Sequence, residues 1–82
     1  MPQEETVHAI ADIVERLAHV PANQVTPGTD FADDLGIDSL TMVEVVVGIE
    51  DRFGVRIVDD DVAGLRTVAD AAEYIERVRV GA

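Results

Sequence analysis

Between Thr6 and Val20 the apolar residues Val7, Ile10, Ile13, Val14 and Leu17 recur at three- and four-residue steps, the period of an amphipathic helix. Pro21 closes that helix, because the residue ahead of a proline is pushed out of helical geometry. His8 and His19 then fall on its polar side as solvated surface residues. Residues 21–37 hold two prolines, Gly28, Gly36, several aspartates and the isolated apolar residues Val25, Phe31, Leu35 and Ile37. This pattern predicts a long loop pinned to the core at those four points. Loops beyond about 12–15 residues are uncommon and often functional, which draws attention to where this one ends.

It ends at a helix predicted from Asp38 to Phe53, with Asp38 as N-cap and Gly54 as C-terminal stop. Laid out at about 100° per residue, Met42, Val45, Val46, Ile49 and Phe53 share one face, roughly 60° to either side of Met42, and form its core side. A second apolar stripe remains. Leu40, Val43 and Val47 lie at roughly 100–160° from Met42, edged by Glu44, Glu50 and Asp51. A small bundle needs only one face of each helix for its core. The stripe is therefore either a docking ribbon for a basic, partly apolar partner or is covered by the long loop or a short helix.

Downstream, Asp59, Asp60 and Asp61 put negative charge at the start of a short helix toward Leu65, where it suits the positive end of the dipole. Gly64 keeps that helix short. Thr67 and Asp70 resemble a capping box with Asp in place of Glu, and Val68, Ala71, Ala72, Ile75 and Val78 form one stripe behind it. The expected fold is all-α: a small up-and-down bundle of three main helices plus one short helix, with a long first loop, forming a single domain over residues 1–82.

Composition narrows the function. Seventeen Asp plus Glu face six Arg and no Lys, for a net charge of -11, which repels nucleic-acid phosphates and anionic headgroups. No apolar run approaches the roughly 20 residues of a membrane span, and Glu4 and Glu5 stand where a signal peptide carries positive charge. The expectation is a cytoplasmic monomer that binds neither nucleic acid nor membrane. Cysteine is absent, which removes disulfides, thiolate metal sites and catalytic thiols together. An 82-residue chain also has little room to enclose an active site.

The candidate chemistry is at Ser39. The loop ends in Gly36-Ile37-Asp38 and delivers this hydroxyl to the first turn of a helix, beside unpaired backbone amides that favour an anionic group. Position alone is equally consistent with an ordinary helix-starting serine. A serine hydrolase needs a nucleophile elbow and a histidine base, and the flanking glycines are missing. An EF-hand loop with Gly36 sixth would put Phe31 first and Leu35 fifth. One with Gly64 sixth has Asp59 and Asp61 but also Ala63 and a final Asp70 in place of Glu, so no specific metal site is expected.

The run Asp33-Asp34-Leu35-Gly36-Ile37-Asp38-Ser39-Leu40, then Met42-Val43-Glu44-Val45-Val46, Phe53-Gly54-Val55 and Leu65-Arg66-Thr67-Val68, resembles the acyl carrier proteins over nearly the whole chain, from about Val7 to Val78. The resemblance implies a non-catalytic protein whose Ser39 bears 4'-phosphopantetheine, placed there from coenzyme A by a holo-synthase (a phosphopantetheinyl transferase). The growing acyl chain then rides as a thioester on the arm. It also implies that Asp38, Leu40, Val43, Glu44 and Val47, with Glu50 and Asp51 adding charge, form the surface read by basic patches of a ketosynthase, a malonyl transferase and other acyl-processing enzymes. Among carriers, the resemblance is nearest to those of dissociated fatty acid biosynthesis. A discrete polyketide carrier is the alternative, and a peptidyl carrier, which usually lacks the acidic residue before the serine, fits less well. From another class, an unmodified acidic helical interaction module would use the ribbon alone. Two departures stand out: Val58 where the family commonly has proline, and Gly64 within the short helix. Both predict a loosened segment beside the cargo.

Overall fold

The computed structural model describes residues 2–80, with side chains from Glu4 to Val78. Helices α1 (Pro2–Ala18), α2 (Ser39–Phe53), α3 (Asp59–Val62) and α4 (Val68–Val80) follow in order, with a 3-10 turn over Ala22–Gln24. No strand forms among the described residues, and the all-α expectation holds.

Helix α1 packs against both α2 and α4. Its stripe is the centre of the core: Ile10, Ile13 and Val14 are buried, facing Val45 and Ile49 from α2 and Val68 and Ile75 from α4 in one continuous apolar cluster. Burial of this kind stabilises by about 1.5–3 kcal/mol per large aliphatic side chain, which offsets the poor helix propensity of the valines in α2. Gly48 lets α1 and α2 approach closely, since a Cβ there would lie 2.9 Å from the Ile13 Cγ2. The buried Thr6 hydroxyl donates to the Glu76 carboxylate and ties α1 to α4.

The end of α1 differs from expectation. The helix stops at Ala18, and His19 turns left-handed at φ 61°, its N–H donating to Glu15 O at 3.0 Å. His19 is thus the terminating residue of α1 and does not lie on its polar face. A left-handed residue satisfies an orphan carbonyl here before Pro21 is reached, and histidine tolerates that conformation better than most.

The long loop is also more ordered than its composition indicates. Val25, Phe31 and Ile37 are buried and Leu35 is half-buried, so all four anchors pack inward. Between them, residues 31–35 form a tight turn capped at both ends of the same short segment. The Asp30 carboxylate accepts from the N–H groups of Ala32 and Asp33, each at 2.9 Å, and the Asp34 carboxylate accepts from Asp30 N–H at 2.7 Å. Gly36, at φ 66°, closes the turn by donating to Ala32 O at 3.0 Å. An antiparallel bridge pairs Asp30 with Thr67. Through it the loop accepts the first orphan amides of α4: Val68 N–H to Thr29 O at 2.9 Å and Ala69 N–H to Pro27 O at 2.8 Å. The loop is therefore fastened to the start of α4, which locates everything that follows it, including Ser39.

Candidate functional site at the head of α2

Asp38 caps α2 as its sequence predicts, its carboxylate accepting from Thr41 N–H at 2.8 Å. That bond from the Thr41 backbone, helped by the Thr41 side chain, holds the Asp38 carboxyl below its ordinary value, so the cap stays ionised. Ser39 follows as the first residue of the helix. Its side chain is exposed and makes no hydrogen bond within the chain among the described residues. The capping work belongs to Asp38, and the neighbouring hydroxyl is left facing solvent.

Beside Ser39 opens a cavity of about 350 Å³. Its walls come from the loop (Phe31, Ile37), from α2 (Met42, Val43) and from the α3 side (Val62, Leu65), and its rim carries Asp38, Asp30 and Arg66. Phe31 and Ile37, expected only as isolated anchors of the long loop, also line this space together with Leu65. Met42, assigned to the core face by angle, is only half-buried for the same reason. A single free hydroxyl at the mouth of an apolar pocket, without a histidine or second nucleophile, suits covalent attachment of a ligand whose far end is apolar. It does not suit turnover by the chain itself.

The second stripe of α2 is uncovered. Leu40, Val43 and Val47 are 74%, 57% and 48% exposed, so neither the loop nor α3 shields them. Glu44 and Asp51 flank them in solvent. Glu50 is different: half-buried, its carboxylate accepts from Ile57 N–H at 2.8 Å and holds the segment after α2. Gly54, at φ 66°, ends the helix by donating to Glu50 O at 2.9 Å.

Helix α3 is short, as Gly64 predicts, but it is tethered. The Tyr74 hydroxyl on α4 donates to the Asp61 carboxylate at 2.7 Å, and the Arg77 guanidinium lies 5.4 Å from the Tyr74 ring centre. Donation to Asp61, burial and the charge of Asp61 push the Tyr74 phenol above its ordinary value, against smaller opposite effects of the Val58 amide and Arg77. Val58 adopts φ -75°, within proline's range, and keeps the N–H that a proline lacks. The Tyr74 contact ties this segment to α4. A second concavity beside Tyr74, of about 300 Å³, is lined by Asp60, Asp61, Asp70 and Glu73. Leu65, Tyr74 and Arg77 also line it, and no serine does among the described residues. No metal-binding group of side chains occurs among the described residues.

A family model described as a phosphopantetheine attachment site matches residues 8–75. The acyl carrier protein of Acidothermus cellulolyticus is 48% identical over 82 residues, covering 100% of this chain and 98% of that protein. Meromycolate extension acyl carrier proteins are similar too. Those of Mycobacterium tuberculosis and Mycolicibacterium smegmatis are each 49% identical over 76 residues, or 93% of this chain, and the match covers 66% and 77% of their respective lengths. The match thus spans just under two thirds of the tuberculosis protein. The solved structure of an acyl carrier protein from Enterococcus faecalis superposes with a TM-score of 0.77 at 36% identity, covering 95% of this chain and 99% of that one.

A helical bundle with a free serine at the head of its second long helix, matched by that family model, defines a phosphopantetheine-bearing carrier domain. The chain belongs to the acyl carrier protein family. Its members carry covalently attached 4'-phosphopantetheine and act as carriers, not enzymes, serving a phosphopantetheinyl transferase and acyl-processing enzymes. No helix among the described residues is long and apolar enough to cross a membrane.

Proposed function

We propose that Ser39 is the attachment point of 4'-phosphopantetheine and that the chain carries growing acyl groups as thioesters on that arm during fatty acid biosynthesis. The observation that carries this reading is the Ser39 hydroxyl, exposed beside the apolar cavity and without a hydrogen-bond partner among the described residues. The bound arm supplies a thiol. The chain supplies the tether at Ser39, the cavity into which an acyl chain can retreat from water, and the face that partner enzymes meet. Similarity to carriers named for meromycolate extension favours fatty acyl elongation over polyketide assembly.

The partner face consists of Asp38, Leu40, Val43, Glu44, Val47 and Asp51. Exposed apolar residues give a holo-synthase, a ketosynthase or a malonyl transferase a surface to bury, while the carboxylates steer basic patches into register. Such charge pairing raises association rates and lets complexes part quickly, as successive hand-offs require. Glu50 contributes mainly by fixing the segment after α2.

Intact mass after incubation with coenzyme A and a holo-synthase tests the attachment. One added phosphopantetheine, lost in Ser39→Ala, supports it, and a failure of the wild type to gain mass overturns it. Glu44→Lys is expected to slow acyl transfer to partner enzymes without altering the circular dichroism of the fold. Transfer rates that stay flat across a salt titration contradict electrostatic docking. Acyl groups recovered on the protein from its native cell identify the pathway.

A further inference from the structure

We infer that Arg66 is a positioning residue for the phosphodiester that joins the arm to Ser39, an assignment that rests on Ser39 being the attachment point. Ser39 and Arg66 line the same cavity, and Arg66 is the only cation among the described residues that do so. Its place on the rim is fixed by backbone, since Phe31 N–H donates to Arg66 O at 3.0 Å and the adjoining Thr67 pairs with Asp30.

The side chain is held at one edge and not consumed. Arg66 Nε lies 3.5 Å from Asp30 Oδ2, a long contact, and the Arg66 side chain is 79% exposed against 14% for Asp30. Asp30 is itself held still, because its other oxygen accepts from Ala32 and Asp33 N–H. One edge of the guanidinium is thus anchored while the rest of its fork remains available, and a guanidinium fork matches phosphate geometry.

Charge gives this arrangement a use. A phosphodiester on Ser39 sits next to Asp38, which its capping bonds keep ionised, in a chain of net charge -11. The diester is one bond from the Ser39 oxygen and cannot leave the rim, whereas the rest of the arm can. A cation on that rim lowers the repulsion between Asp38 and the diester and biases the arm toward the cavity.

The test is phosphorus NMR of the holo protein through a sodium chloride titration, with loading verified by mass. In the wild type the phosphodiester resonance should move with salt as the ion pair is screened. The movement should be lost in Arg66→Gln, retained at lower amplitude in Arg66→Lys, and enlarged in Asp30→Asn, whose carbonyl still accepts the loop amides but no longer competes for the guanidinium. A purely structural role for Arg66 would not order the four proteins in this way. Superimposable titrations of the four loaded proteins overturn the Arg66 assignment and leave the carrier reading standing. Absence of loading in the wild type overturns both.

Discussion

The two halves of this molecule are held together by different forces. Around α1 the contacts are mainly apolar, the Thr6–Glu76 hydrogen bond aside: Ile10, Val14, Val45, Ile49 and Ile75 are fully buried and interlock from three helices. From the loop before Ser39 to the start of α4, many of the fixing contacts are hydrogen bonds accepted by carboxylates. Asp30 caps the turn before α2, Asp38 caps α2, Asp70 caps α4, Glu50 holds the segment after α2, and Asp61 anchors α3 to Tyr74. The difference separates two meanings of acidity that net charge alone merges. These five carboxylates are spent on local geometry, and the docking face draws chiefly on others, such as Glu44 and Asp51.

The largest effect should come from breaking the apolar half. Ile49→Ala removes a fully buried side chain between α1 and α2 and should cost about 2–5 kcal/mol. Domains of this size are stable by only about 5–15 kcal/mol, so that loss takes a large share. Chemical denaturation of the apo protein should show one cooperative transition at a much lower midpoint. A shift below about 1 kcal/mol would mean that the core is looser than its packing implies.

A smaller and more local loss is expected from Asp30→Ala. The substitution removes an acceptor shared by two amides and should cost about 0.5–2 kcal/mol, the usual range for a lost cap. Hydrogen exchange should show faster amides at Ala32 and Asp33 while those of Ile10 to Val14 keep their protection. Equal acceleration in both places would contradict the division into halves.

The carboxylate half should also respond to pH in a way the apolar half does not. Asp70 is held below its ordinary value first by the Thr67 backbone amide, as Asp38 is by that of Thr41. A carboxyl lowered in the folded state contributes stability that is present above its unfolded value, about 4, and is lost as pH falls through the lower folded value. Tyr74 is raised, so its contribution is present below about 10 and is lost as pH rises through the higher folded value. Thermal melts should therefore fall off at both ends of the pH range. Asp70→Asn keeps a capping oxygen and should flatten the acid side, and Tyr74→Phe should flatten the alkaline side. Unaltered profiles in both variants would remove these bonds from any role in stability.

How far this division can be read without a structure depends on sequence distance. The stripes of α1, α2 and α4 are periodic, and the caps at Asp38, Gly54 and the Thr67–Asp70 pair lie within a few residues of what they cap, so all were legible. So was the serine, because the acidic and glycine-rich run before it is contiguous. The capped turn at residues 31–35 is too short to show a period, and its caps Asp30 and Asp34 look like any acidic loop residues. The bridge from Asp30 to Thr67 and the bond from Tyr74 to Asp61 join segments far apart in the chain. Glu50 shows the limit of angular reasoning. Its angle places it on the edge of the ribbon, but its carboxylate turns to the Ile57 amide, which no helical wheel contains.

The mildest substitution probes the boundary between the halves. Gly64 has ordinary backbone angles, and a Cβ there would meet only Asp61 O, at a comfortable 3.5 Å. Gly64→Ala therefore adds no clash and narrows the unfolded ensemble, a gain of about 0.4–1 kcal/mol. Where that gain is registered is the informative part. Segments held by few apolar contacts open on their own, at lower free energy than the whole domain. None of the residues of α3 is fully buried. If α3 opens separately, the gain should slow amide exchange at Gly64 and Leu65, which donate to Asp61 O and Val62 O, while protection at Ile10 and Val14 stays unchanged. If protection at Ile10 and Val14 rises by as much as at Leu65, α3 opens only together with α1, and the carboxylate-held half is no separate unit.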